Sequence, residues 1–303
     1  MKVLITGGTG FIGRALGASL VSDGHEVIAL SRNPQDVGGL PAAMRVAGWD
    51  GRSGAGWVKL AEGADAIVNL AGESLSQWPW TAERKRRFLE SRVNAGHAVV
   101  DAAKRARIKP RMIIQSSGVG YYGPRGTEEI PETSGSGQDF LARLAVQWEA
   151  SSAEVESMGV RRVIIRTGLP LSLHGGVFPL FRLPSLFMIG GPLGSGRQAL
   201  PWIHLNDHVR AMRFLIDRQD ARGPFNLAAP HPVTNRQFER TLGKVMRRPA
   251  IVPVPGFAIR LVLGEMAGMV LTGQRAVPTR LAAMGFAFRF TELEDALRDV
   301  LKG

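Results

Sequence analysis

The sequence predicts an α/β fold, a doubly wound parallel sheet with a smaller C-terminal lobe. Three observations carry that prediction. Short apolar runs rich in β-branched residues alternate with helical patterns through the first half of the chain. The first run, Lys2-Val3-Leu4-Ile5, breaks into a glycine-rich turn, and a helical pattern begins at once. After Arg166 the alternation gives way to Gly, Pro and apolar residues mixed with poor periodicity as far as Leu200.

The first element is the most informative. Thr6-Gly7-Gly8-Thr9-Gly10-Phe11-Ile12-Gly13 joins a buried strand to a helix whose apolar positions are Phe11, Ile12, Leu16, Leu20 and Val21. Strand, glycine turn and helix in that order form the opening unit of a dinucleotide-binding, Rossmann-type fold. Gly7 permits the tight turn, Gly10 lets backbone approach a pyrophosphate, and Gly13 lets helix and strand pack closely. The helix N-terminus offers unpaired N–H groups and the positive end of a dipole to the phosphates. Thr6, Gly7, Gly10, Phe11, Ile12 and Gly13 are therefore cofactor-binding candidates.

A second strand, Glu26 to Leu30, ends at Ser31-Arg32-Asn33-Pro34. In this fold that tip lies beside the adenosine ribose, where a carboxylate favours NAD and an arginine meets the 2′-phosphate of NADP. The tip holds Ser31 and Arg32, with Asp36 lying past Pro34, so NADP is expected over NAD. The alternative is that Arg32 is a solvated surface residue.

Further along, Asp65 to Leu70 reads as a strand ending in Ala71-Gly72-Glu73, and a helix is expected from Thr81 to Arg107. Arg111 to Gln115 is the next strand, followed by Ser116-Ser117-Gly118. A helix over Asp139 to Met158 ends at Gly159, and Arg161 to Arg166 forms another strand. Ligands of such a sheet bind beyond the carboxyl ends of its strands, which adds Leu70, Ala71, Gly72 and Ser116 to the cofactor candidates. Thr234 is a plausible N-cap for a helix over Asn235 to Met246, and a last helix is expected near Glu292 to Leu301. The division expected is residues 1–170 as the dinucleotide-binding domain, with a return segment near 225–228, and residues 171–303 as a substrate lobe.

Composition narrows the function classes. The 303 residues carry 38 Lys and Arg against 26 Asp and Glu, a formal charge of +12. That balance can steer anionic ligands such as nucleotides. The basic residues are scattered, however, and the densest run, Arg84 to Arg87, falls in a helical pattern, so no specific nucleic-acid partner is expected. There are no cysteines, which excludes disulfides and thiolate chemistry. The most apolar stretches, 177–193 and 257–271, are broken by prolines or charges, and the N-terminus does not read as a signal peptide. A cytoplasmic protein without a membrane partner is the expectation, its oligomeric state open.

Taken together, the motifs resemble those of extended short-chain dehydrogenases/reductases. The resemblance rests on Thr6 to Gly13, Asn69-Leu70-Ala71-Gly72, Asn94 in a helix, Ser116-Ser117, and Trp202 to Asp207. More narrowly, the chain is similar to an atypical subgroup, nucleoside-diphosphate-sugar epimerase-like, with a C-terminal domain of unknown function. The shared segments are Ser117 to Gly123, Asp139 to Leu141, Trp148-Glu149, Gly264 to Ala267 and Gly285 to Phe288.

The same resemblance implies a Tyr four residues before a Lys on one helix, the pair that transfers the substrate proton. The corresponding segment, Asp139 to Val146, contains neither. Candidates to replace the pair are Ser117, the two tyrosines Tyr121 and Tyr122, and Glu73. Each has a bland counterpart: packing of the loop, or a solvated or salt-bridged Glu. His204 lies in an apolar run and reads more readily as structural. Gly190 to Gly196 with Arg197 either wraps an anion or is a plain loop. Asp207-His208 lacks a third metal ligand at a suitable spacing. The leading expectation is an NADP-dependent oxidoreductase or epimerase acting on a nucleotide-sugar-like or other polar hydroxyl substrate. The alternative is a non-catalytic NADP-binding sensor or scaffold. A nucleic-acid or membrane-surface binder ranks third.

Overall fold

In a computed structural model, residues 1–35 and 38–302 are described. Asp36, the carboxylate past the second strand, lies outside the described residues.

Seven parallel strands build the central sheet: β1 Lys2–Thr6, β2 Glu26–Ser31, β3 Arg45–Gly48, β4 Ala66–Asn69, β5 Met112–Gly118, β6 Arg161–Thr167 and β7 Gly223–Leu227. Their order across the sheet is β7-β6-β5-β4-β1-β2-β3. The order reverses between β1 and β4, and this switch point sets the crevice where ligands bind.

Both faces of the sheet are buried, and period-two alternation divides each strand between two cores. Val3, Ile5, Ala29, Val68 and Ile114 face one core, against Leu16 and Leu20 of α1 (Phe11–Ser22) and Met212 and Leu215 of α5 (Leu205–Asp217). Leu4, Ile28, Ile67 and Ile113 face the other, against Ala95, Val99 and Ala102 of α2 (Ala82–Arg105). A third core lies in the C-terminal part. There Phe178 and Phe181 of α4 (Phe178–Leu186), Phe238 and Leu242 of α6 (Asn235–Met246), and Leu293 and Leu297 of α7 (Leu293–Lys302) pack around Trp202.

Element ends follow local chemistry. Thr81 caps α2 by accepting from the Arg84 N–H, and Thr234 with Gln237 forms a capping box on α6. The helix expected over Asp139 to Met158 is instead two pieces, α3 (Phe140–Ala150) and a 3₁₀ stretch, Ala153–Met158. The Ser151 hydroxyl donates to the Trp148 carbonyl where the helix stops, and Ser151 packs on Gly96 of α2. A Cβ at Gly96 would stand 1.8 Å from the Ser151 oxygen, so this crossing admits only glycine. Gly159 ends the segment in the left-handed region, as the sequence suggests. The short edge strand β3 is not apparent in the sequence. Its four residues are only partly covered, so the buried-strand signature is absent.

Candidate functional site

Two cavities flank the N-terminus of α1. The first, about 480 Å³, is polar and is lined by Gly7, Thr9, Gly10, Ser31, Arg32, Leu70, Ala71 and Gly72, joined by Asp50, Arg52, Glu73, Arg87 and Asn94. The second, about 580 Å³, is apolar. Phe11 and Ile12 of the same helix start contribute to its wall.

The glycine turn that separates the cavities is fixed by backbone geometry. Gly7 sits at φ +68°, where side chains are strained. A Cβ at Gly13 would lie 2.4 Å from the Gly7 carbonyl oxygen, so the helix can approach the turn only with glycine there. Gly8 carries an equal constraint that the sequence reading missed: its Cβ would stand 2.6 Å from that of Ala29 on β2. No side chain caps α1 at Gly10, which leaves its first-turn N–H groups available to an anion.

Not every cofactor candidate reaches a cavity. Thr6 is fully buried, and its hydroxyl donates to Asn69 Oδ1 at 2.6 Å. Asn69 Nδ2 donates in turn to Gln115 Oε1 at 3.0 Å, and Gln115 to the Ser116 carbonyl. This buried ladder ties the ends of β1 and β4 to the middle of β5. Ser116 is buried in β5 and lines neither cavity, and Gly13 acts through the turn.

In the polar cavity Arg32 and Arg52 are exposed, and neither pairs with a carboxylate among the described residues. The Arg32 stem lies 3.5 Å from where a Gly51 Cβ would be, so the side chain lies against the loop after β3. Asp50 on that loop was not anticipated. Its Oδ1 accepts from the backbone N–H groups of Ser53 and Arg52, and these hold its carboxyl below the usual range. Glu73 is also here, 3.2 Å from Arg87, and does not line the apolar cavity. The structure thus places this proposed base in the polar cavity, paired with Arg87.

Two further catalytic candidates, Ser117 and Tyr122, have their hydroxyls engaged in a buried network. The Ser117 hydroxyl donates to Glu149 Oε1 at 2.7 Å. Arg166 grips the same carboxylate in two bonds of 2.9 Å. Its remaining amino group donates to the Tyr122 hydroxyl at 3.0 Å, and Tyr122 donates to Asn226 Oδ1 at 2.7 Å. Burial raises the Tyr122 pKa, with Arg166 opposing the shift. Burial also works against the Arg166 charge, but Glu149 outweighs it and raises the guanidinium pKa. Tyr121 covers Arg166, its ring centre 3.5 Å from the guanidinium carbon. Neither Ser117 nor either tyrosine lines the apolar cavity; Gly118, Val119 and Gly120 do.

The remaining candidates resolve similarly. His204 caps α5, accepting from the Asn206 N–H, and stacks on Phe290. Asp207 accepts from the backbone N–H groups of Arg289 and Phe290 and from Arg210, while burial holds His208 neutral with a pKa of about 3. No metal-ligand cluster occurs among the described residues. The Gly190–Gly196 loop hydrogen-bonds to the Pro-rich segment, with the Gly194 N–H donating to Val254 and the Val252 N–H to Gly190. A Cβ at Gly191 would lie 2.1 Å from the Val252 oxygen, so this loop is built for packing.

A glycine turn, an open helix end and two cavities beyond the strand ends of a doubly wound sheet define a nicotinamide-dinucleotide-binding protein. The chain belongs to the NAD dependent epimerase/dehydratase family, whose model matches residues 3–228. A domain of unknown function, DUF1731, matches residues 254–300. The expected likeness to atypical short-chain dehydrogenases/reductases with that C-terminal domain is thereby met. Epimerase family protein YfhF of Bacillus subtilis is 37% identical over 302 residues, covering 99% of this chain and 98% of its own. The human epimerase family protein SDR39U1, solved with NADPH, is 33% identical with a TM-score of 0.87, covering 100% of this chain and 99% of its own. A nucleoside-diphosphate sugar epimerase from Corynebacterium glutamicum is 32% identical with a TM-score of 0.78, covering 98% of this chain and 57% of that one. Among the described residues no helix is long and apolar enough to cross a membrane.

Proposed function

We propose that the protein is an NADP-dependent oxidoreductase that works without a Tyr-x-x-x-Lys pair. The observation that carries the reading is the pair of arginines, Arg32 and Arg52, in the polar cavity without a carboxylate partner among the described residues. Two such cations suit the additional phosphate of NADP better than a bare ribose. The human relative solved with NADPH points the same way. When bound, the cofactor supplies or accepts a hydride at its nicotinamide. In this reading Gly7, Gly10 and the start of α1 hold the pyrophosphate, Ser31, Arg32 and Arg52 the 2′-phosphate, and Leu70 to Gly72 the adenosine. Phe11 and Ile12 border the nicotinamide end. Residues 1–170 with β7 form the cofactor half, and the rest of 171–303 the substrate lobe, of a cytoplasmic enzyme.

Proton delivery is the unusual part. Phe140, Leu141, Leu144, Ala145 and Trp148 are the α3 residues on the apolar cavity wall. Leu141 and Ala145 stand at the four-residue spacing of the missing pair. Asp139 and Glu265, the carboxylates on the wall, are engaged with the Ala142 N–H at 2.8 Å and with Lys85 at 2.6 Å. Solvent or the substrate's own groups then exchange the proton, and turnover is slow.

The same lack of a free acid or base favours a second reading, a non-catalytic NADP sensor or scaffold. One experiment separates the two. Protein loaded with NADPH is mixed with a panel of sugar nucleotides, ketones and aldehydes, and the absorbance of reduced nicotinamide is followed. Oxidation that depends on both protein and substrate supports the enzyme. Cofactor binding by calorimetry with no oxidation across the panel supports the scaffold.

A further inference from the structure

We propose that the apolar cavity selects an uncharged, largely hydrocarbon carbonyl or alcohol and rejects nucleoside-diphosphate sugars. This rests on the reading above that the cavity beside the start of α1 is the substrate site.

The wall is made of large apolar side chains from both halves of the chain, among them Trp80, Leu144, Trp148, Phe181, Leu200 and Met269. No Lys, Arg or His lines it. Two cations packed against rings of the wall are already committed. Lys85 rides over the Phe140 ring at 5.3 Å and is bound to Glu265. Arg92 lies 4.8 Å from the Trp148 ring centre, and its Nη1 donates to the carbonyls of Glu73 and Phe88. A pyrophosphate brought into this cavity would lose water and meet no compensating charge, which is prohibitive.

Sugar hydroxyls fare little better. Thr167 shares its hydroxyl with His208, and Thr272 donates to the Gly268 carbonyl. Gln274 is the one amide side chain on the wall. The cavity therefore suits a ligand with one or two polar atoms and an apolar body.

The test uses NADPH-loaded protein and N-phenyl-1-naphthylamine, an uncharged probe that brightens in apolar cavities and is excited through nearby tryptophans such as Trp80 and Trp148. Probe binding is expected, with displacement by 4-phenyl-2-butanone and none by UDP-glucose at equal concentration. Leu144→Arg, and the milder Met269→Arg at a partly exposed wall position, are each expected to weaken probe binding at least about tenfold. Leu261→Glu, on an exposed apolar surface outside the wall, is expected to leave it unchanged. Displacement by UDP-glucose, or probe binding indifferent to both cavity substitutions in folded protein, overturns the inference. NADPH affinity is measured separately by calorimetry, so loss of the cofactor reading is seen independently of the probe. Binding of 4-phenyl-2-butanone without NADPH oxidation would remove the oxidoreductase reading and leave the cavity assignment standing.

Discussion

Replacing Arg32 by Ala, alone and with Arg52→Ala, probes the cofactor assignment most directly. A hydrogen bond to a charged group contributes about 1.5–3 kcal/mol, and each 1.4 kcal/mol is tenfold in affinity. Both arginines are solvent-exposed, so the lower end of that range applies. Arg32→Ala is then expected to weaken NADPH binding about tenfold, and the double substitution about a hundredfold. NADH lacks the phosphate and should lose less than about twofold. Calorimetric titration of both cofactors into each variant reads the effect, and raising the salt should shrink the difference between NADPH and NADH. Equal losses for the two cofactors, or an Arg32→Ala variant with unchanged NADPH affinity at low salt, would falsify the assignment. Asp50 sets a further check on the same loop. Asp50→Ala should disturb the Arg52–Ser53 turn and weaken both cofactors alike, because it removes the Oδ1 that accepts those two backbone N–H groups.

Four other perturbations follow from the structure. Gly13→Ala forces a Cβ against the Gly7 carbonyl at 2.4 Å; it should cost stability near the upper end of the roughly 1–3 kcal/mol typical of overpacking and abolish NADPH binding, seen by thermal melting and calorimetry. Ser117→Ala removes one hydrogen bond and should cost about 1 kcal/mol. Glu149→Gln leaves the buried Arg166 charge without its partner and should cost about 3–5 kcal/mol in urea unfolding. A Ser117→Ala variant that kept full stability but lost turnover would restore Ser117 to the chemistry. Glu239, buried on α6, has its pKa pushed up to about 8 by burial. Between the ordinary carboxyl value of 4.5 and about 8 the folded state binds more protons than the unfolded one, so stability falls as pH rises through that window. Glu239→Gln should flatten that slope and raise the melting temperature at pH values above it, whereas an unchanged slope would assign the pH dependence to other groups.

The sequence made the sheet legible because strands buried on both faces read as continuous apolar runs, and glycine turns punctuate them. Gly7 and Gly13 could be assigned from spacing alone because their constraint is local. Gly8, Gly96 and Gly191 could not, since each is required by backbone or side chains distant in sequence: Ala29, Ser151 and Val252. The edge strand β3 was invisible for want of an apolar pattern. Its hidden consequence was Asp50 and Arg52, which a sequence reading confined to the tip of β2 leaves out of the polar cavity. Ser117 and Tyr122 stand out in the sequence as catalytic candidates, yet both are buried. Their burial depends on Glu149, Arg166 and Asn226, three residues on three different elements, and only the packed fold brings those together.

That network also bears on why the apolar cavity has the wall it has. Arg166 on β6 and Glu149 on α3 form a buried ion pair that pins the helix to the sheet, with Ser117 and Tyr122 completing its hydrogen bonds. Glu149 is adjacent to Trp148, and Ser117 to Gly118, so one polar cluster fixes the positions of wall residues from two elements. A buried pair is weak evidence for net stability but imposes a single arrangement on its neighbours when every partner is satisfied. Here it holds the α3 apolar face, Leu141, Leu144 and Trp148, toward the cavity and turns the hydroxyl of Ser117 away from it. Ser117 and Tyr122, two of the catalytic candidates, thus sit in this framework, while the cavity wall it positions is mostly hydrocarbon, with Asp139 and Glu265 as its carboxylates. In the proposed reading, discrimination at such a surface comes from shape and from exclusion of charge, and the reactivity of a substrate is left to the nicotinamide.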